Sequence, residues 1–232
     1  MASHFDEELA QVKAKTLKLG GLAETMVEQA VASLMNRDPH LAEETIALDH
    51  TADSRELEIN EDCIRLLAFH QPAVGDLRFL TSVMVISADL ERAADEAVNI
   101  AQRTVELSAV AQLTPYIDIS PMSQLAQRML RSSLDAFVRK EVSLALEVIA
   151  TDTRVDVLRE QLFRVLLTFA MEDPRTIGRV IRLVLVSRSL ERVADHATNI
   201  AEMAVYLAEG KTIRHAPRPA TPNPAEPESN RD

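Results

Sequence analysis

Four pairs of acids stand four residues apart in this chain: Asp49 with Asp53, Glu91 with Asp95, Asp152 with Asp156, and Glu191 with Asp195. On a helix, residues i and i+4 share a face, with about 5–6 Å between their Cβ atoms. Each pair therefore aims two carboxylates the same way. Such like charges destabilise an isolated helix by about 0.2–0.5 kcal/mol, and a cation that the carboxylates chelate removes the penalty. Oxygen-only ligands suit hard or borderline cations such as Mg²⁺, Mn²⁺, Ca²⁺ or iron. Asn99 and Asn199 extend two of the rows by a further turn. His196 follows Asp195 directly, so it points about 100° away and is not read as a ligand. The competing reading is a solvated acidic face, neutralised locally by Arg92 and Arg192.

Helices must position these acids. Apolar spacing and punctuation predict six of them, over residues 5–35, 39–69, 74–109, 121–139, 142–171 and 174–209. Asp38-Pro39, Ser120-Pro121 and Asp173-Pro174 each pair an N-cap residue with Pro at the first helical position. No stretch alternates at period two for long enough to make a strand. Gly20-Gly21 costs the first helix about 1 kcal/mol per Gly relative to Ala, which marks a kink or a close helix approach. Small Ala94, Ala97 and Ala101 likewise favour close packing.

Helices joined by a short turn run antiparallel. Asp49 and Asp53 lie some 20 residues before the turn at 70–74, and Glu91 and Asp95 some 20 after it. Equal distances from the turn bring both pairs to one height, within about a helical turn. The second half repeats the arrangement, with Asp156 17 residues before Asp173 and Glu191 18 after it.

That repetition is a duplication. DLERAADEAVNIAQ at 89–102 and SLERVADHATNIAE at 189–202 agree at nine of fourteen positions, and TIALDHTAD at 45–53 is mirrored by VIATDTRVD at 148–156. The offset is 100 residues for the first phrase and 103 for the second, so about three residues are missing near the second turn. The predicted fold is all-α: two tandem three-helix bundles, over residues 1–110 and 121–209, whose cores pack through an interface or a shared helix. Residues 210–232 form a Pro-rich tail with almost no large apolar side chain, and such a segment is expected to be disordered.

Composition narrows the classes. The 232 residues are 47 % hydrophobic, enough for a core, and a net charge of −11 argues against direct nucleic-acid binding. The same charge suits multivalent cations or a basic patch on a partner. The single Cys63 excludes an intramolecular disulfide and a CxxC zinc cluster, and it fits a reducing compartment. No apolar run approaches the roughly 20 residues of a membrane span, and no signal peptide is apparent. A soluble cytoplasmic protein is expected.

The phrase LERxxD-x-A-x-NIA, written twice and each time about 40 residues after a DxxxD helix, resembles the PhoU family of phosphate-transport regulators. HFDEELAQVK, the AFHQPAVGDLR turn and VDVLREQLFR at 155–164 add to the likeness, which covers residues 4–209. Ala93-Ala94 and Val193-Ala194 stand where the family often has Ile-Gly, and His70 replaces a common Gln; neither change touches a carboxylate. The resemblance implies multinuclear metal sites on Asp49, Asp53, Glu91 and Asp95, and on Asp152, Asp156, Glu191 and Asp195. The metals it suggests are iron or zinc, with magnesium or manganese as further candidates. It also implies homodimers, and work at the inner face of the membrane without a span. The expected role is a negative regulator of phosphate uptake and of the phosphate regulon, linking a sensor histidine kinase to the ATPase subunit of the phosphate ABC transporter.

Two other functions compete with that one. The first is a carboxylate-bridged di-iron enzyme or iron store. Ferritin-like sites take two Glu-x-x-His motifs, and none occurs in the chain. The second is a metal-free scaffold with a solvated acidic face. No nucleophile–base set and no GxxxxGK[ST] loop stands out, so a non-enzymatic protein is expected. His4, His40, His50 and His215 read as surface residues. A diverged regulatory task, such as persistence control, also fits the same sequence.

Overall fold

The computed structural model describes residues 4–114 and 117–213. The expected disorder of the Pro-rich tail falls, from residue 214 onward, outside the described residues. Seven α-helices make up the fold: α1 (His4–Asn36), α2 (Pro39–Ala47), α3 (Asp49–Phe69), α4 (Val74–Ser108), α5 (Ser120–Arg139), α6 (Val142–Glu172) and α7 (Ile177–Glu209). There is no strand among the described residues. The architecture is the expected all-α one, with three local differences.

The first lies in the rod predicted over 39–69, which breaks at Leu48 into α2 and α3. The Leu48 N–H donates to Thr45 O at 3.1 Å, and the Thr45 hydroxyl donates to Leu41 O at 2.8 Å. A Thr that bonds back to the preceding turn bends a helix. The break makes Asp49 the first residue of α3, where the positive end of the helix dipole faces it. The second concerns Ser120, which does not cap α5. Asp118 instead accepts from the Ser120 N–H at 2.9 Å, and the helix starts at Ser120 itself. The third is at Pro174, where a 3₁₀ turn over Pro174–Thr176 precedes α7. Asp38 and Asp173 cap as predicted, accepting from the backbone at His40 and Leu41 and at Arg175.

α1, α2 and α3 pack on α4, and α5 and α6 pack on α7; α4 and α7 pack on each other, and α1 touches α5. One continuous apolar cluster takes side chains from both halves, which meet where α4 packs on α7. Small side chains let both helices pack closely against their neighbours. Ala93, Ala94, Ala97 and Ala101 of α4 are fully buried, and so are Val193, Ala194, Ala197 and Ala201 of α7. Gly20 serves close approach, because a Cβ there would meet Leu134 Cδ1 of α5 at 2.9 Å; Gly21 has open space. Phe79 of α4 stacks on Phe137 of α5, with ring centroids 6.4 Å apart. At the end of α1, Arg37 adopts a left-handed conformation and donates to Leu107 O at 2.6 Å and to Val110 O. That contact fastens α1 to the end of α4.

Candidate metal centres on the acidic rungs

Helix periodicity places Asp49 and Asp53 on one face of α3, and antiparallel packing lays that face against α4. Ligand oxygens of Asp49, Asp53 and Asp95 lie within 4.8 Å of one another. Such a group is the first requirement of a shared cation site. Glu91 lies one turn away on α4. Burial pushes its carboxyl up to about 7, and the charges of Asp95, Asp53 and Glu56 add to the shift while Arg92 opposes it. Burial likewise raises Asp95, followed by the charges of Asp49, Asp53 and Glu96. Asp49 is raised by burial and by the charge of Asp53, while the neighbouring Asp95 carboxyl and His50 oppose the shift. Asp49 Oδ1 is buried without a hydrogen-bond partner among the described residues. A cation would satisfy that oxygen and the crowded charges together, so the donor set fits a metal.

The second set is differently balanced. Asp152 is buried at 5 % exposure, and burial pushes the Asp195 carboxyl up to about 6. The charges of Asp152, Glu191 and Asp156 contribute to that shift, so the expected four acids do meet electrostatically. Yet among the described residues no three ligand atoms here come as close as those of the first set. Arg159 also stands at this set. Its Nε lies 3.3 Å from Glu191 Oε1, a counter-ion already in place. In the duplication, Arg159 corresponds to Glu56. Sequence reasoning assigned local neutralisation to Arg92 and Arg192 and passed over Arg159. Arg192 turns away to Glu96, at 3.0 Å, and Arg92 only moderates Glu91. Lining the two halves up one turn beyond the DxxxD pair would have exposed the Glu56–Arg159 exchange.

His196 is no ligand in this arrangement. Its Nδ1 sits 2.9 Å from Asp89 Oδ1, to which Asn199 Nδ2 also donates at 3.0 Å. His4, His40 and His50 are exposed, as expected, and His215 lies outside the described residues. No described helix is long and apolar enough to cross a membrane.

Comparison with known proteins finds similar chains over nearly the whole described length. The PhoU domain model matches twice, over residues 16–104 and 119–204. The phosphate-specific transport system accessory protein PhoU homolog of Pseudomonas aeruginosa is 39 % identical over 93 % of this chain and 89 % of its own length. The homolog from Aquifex aeolicus is 41 % identical, covering 90 % of this chain and 95 % of its own. The crystal structure of PhoU from Pseudomonas aeruginosa superposes with a TM-score of 0.87, covering 90 % of this chain and all of that one. The regulatory protein PhoU from Streptococcus pneumoniae gives 0.82 at 30 % identity, covering 90 % and 99 % of the two chains.

Proposed function

Since this chain belongs to the PhoU family, we propose that it regulates phosphate transport as a metal-binding adaptor and not as an enzyme. Its relatives are accessory proteins of phosphate-specific transport, which supports the transport role. The observation that carries the adaptor reading is the doubled acidic rung. The convergence of Asp49, Asp53 and Asp95 supports a cation bridging α3 and α4. On this reading Glu91 completes the first site, and Asp152, Asp156, Glu191 and Asp195 form the second. Iron or zinc would occupy them, with magnesium or manganese as alternatives. The metal would neutralise the carboxylates and hold the facing helices at fixed spacing. The acidic protein would then dock on basic surfaces of the transporter ATPase and of a sensor histidine kinase, working as a homodimer at the inner face of the membrane.

A di-iron oxidase is the weaker reading. The converging ligands are all carboxylates, and the buried His196 is committed to Asp89. Two experiments test the proposal. Elemental analysis of untagged protein should find metal that a variant with Glu91, Asp95, Glu191 and Asp195 changed to Ala loses. Pull-down from membranes should recover the transporter ATPase or the kinase; recovering neither at any phosphate level would sink the adaptor role.

A further inference from the structure

The α4–α7 seam carries a second polar feature, apart from the acidic rungs. The two helices cross it antiparallel, with Asp89 against His196 and Asn199, and Glu96 against Arg192. Because α4 and α7 are copies, the seam has two equivalent ends, and these ends differ. At one end the buried Asp89 carboxylate accepts from His196 and Asn199, so an anion belongs to the protein itself. At the other end Asp89 is replaced by Ser189, Ala88 by Arg188, and Met203 by Arg103. There a cavity of about 330 Å³ opens, lined by Arg103, Arg188, Arg192, Asn99, Ser189 and Glu96.

Three guanidinium groups face one carboxylate around that cavity, in a protein of net charge −11. Arg192 and Asn99 already contact Glu96, at 3.0 and 3.2 Å, and Arg103 contacts Glu106 at 2.6 Å. Arg188 has no ion-pair partner among the described residues. The Ser189 side chain, 7 % exposed, has no hydrogen-bond partner among them either. The cavity thus gathers donors from both helices: fixed guanidinium forks, an amide and a hydroxyl. A planar carboxylate is satisfied by one guanidinium fork, whereas a tetrahedral dianion accepts from several directions at once.

We propose that this cavity binds a phosphate dianion, held by Arg188, Arg103, Arg192 and the Ser189 hydroxyl at the position equivalent to the Asp89 carboxylate. The site needs neither the metal nor a protein partner, so it stands or falls separately from the adaptor reading. The test is calorimetric titration of the full chain, stripped of metal with EDTA, at constant ionic strength. Inorganic phosphate should bind saturably with one site per chain, and sulfate should compete. Arg188→Ala, an exposed change that leaves no partner unpaired, should weaken binding about tenfold. Ser189→Asp, which supplies the carboxylate of the other end, should abolish it. A parallel titration with adenosine monophosphate identifies the source: tighter binding than the free ion assigns the site to organic phosphates, and weaker binding to the ion itself. Circular dichroism checks that each variant is folded. Failure of both ligands to bind, or undiminished binding by both folded variants, would overturn the assignment.

Discussion

The two acidic sets occupy equivalent places in the duplication, and they are solved by different electrostatics. In the first, Asp49, Asp53 and Asp95 converge with Glu91 and Glu56 nearby, and the exposed Arg92 moderates Glu91 while His50 moderates Asp49. In the second, Arg159 stands where Glu56 stands in the first and pairs with Glu191. The backbones differ too. α3 begins at Asp49 after the Leu48 break, while α6 runs unbroken through Asp152. One exchange of Glu for Arg thus separates a set rich in uncompensated carboxylates from a set that carries part of its own neutralisation. Copies of one helix pair have come to hold charge in two ways.

The sharpest break of that comparison is removal of ligands. Asp49→Asn with Asp95→Asn should weaken metal binding at the first set more than about 100-fold. The same pair of changes at Asp152 and Asp195 should leave the first set loaded. Metal content measured on both variants checks this, and equal losses would sink the asymmetry.

The seam offers the next largest contrast. Asp89→Ala strands His196 and Asn199 and should cost about 2–3 kcal/mol in denaturant unfolding. Its counterpart Ser189→Ala should stay within about 0.5 kcal/mol. Similar costs would mean that the two ends are not different in kind.

Exchanging Glu56 and Arg159 tests the cause directly. Glu56→Arg should lower metal affinity at the first set about tenfold, and Arg159→Glu should raise it at the second by a similar factor. Titration of each variant with Mn²⁺ or Zn²⁺ reads both, and unmoved affinities would remove Arg159 from the explanation.

The smallest effect is on pH. Glu91 is pushed up to about 7 and Asp195 to about 6, from 4.5 and 3.8. The folded state therefore binds these protons more tightly than the unfolded chain does. The associated stability is full below the ordinary carboxylate range and is lost as pH rises through 6 and then 7. With solvent screening, metal-free protein should lose about 1 kcal/mol over this window. Glu91→Gln should remove the upper part of the loss and Asp195→Asn the lower part. A thermal midpoint that is flat with pH in metal-free protein would contradict this.

Much of this was legible in the sequence because helix periodicity and turn counting are local. The four DxxxD and ExxxD rows, their shared height and the Asp38 and Asp173 caps follow from spacing alone. The break at Leu48 does not, since the apolar spacing runs on across it without interruption. The sequence predicts that the two cores pack together, but not which helices carry the contact. Only the packed structure shows that α4 and α7, the two copies of one helix, meet each other. Arg159 was missed because the ion pair joins residues 32 positions apart, beyond the reach of any i,i+4 rule.

The meeting of α4 with α7 is a like-with-like contact. Glu96 of α4 reaches Arg192 of α7 and Asp89 reaches His196, as in a subunit pair related by a two-fold axis. Either half alone would leave its face of the α4–α7 seam in water and would bury it only by finding another copy. Joining the halves through residues 109–119 turns an encounter that depends on concentration into one that is always within reach. It also frees the two copies to diverge. A symmetric pair must repeat every substitution on both sides, whereas a fused pair could place Glu56 on one side and Arg159 on the other.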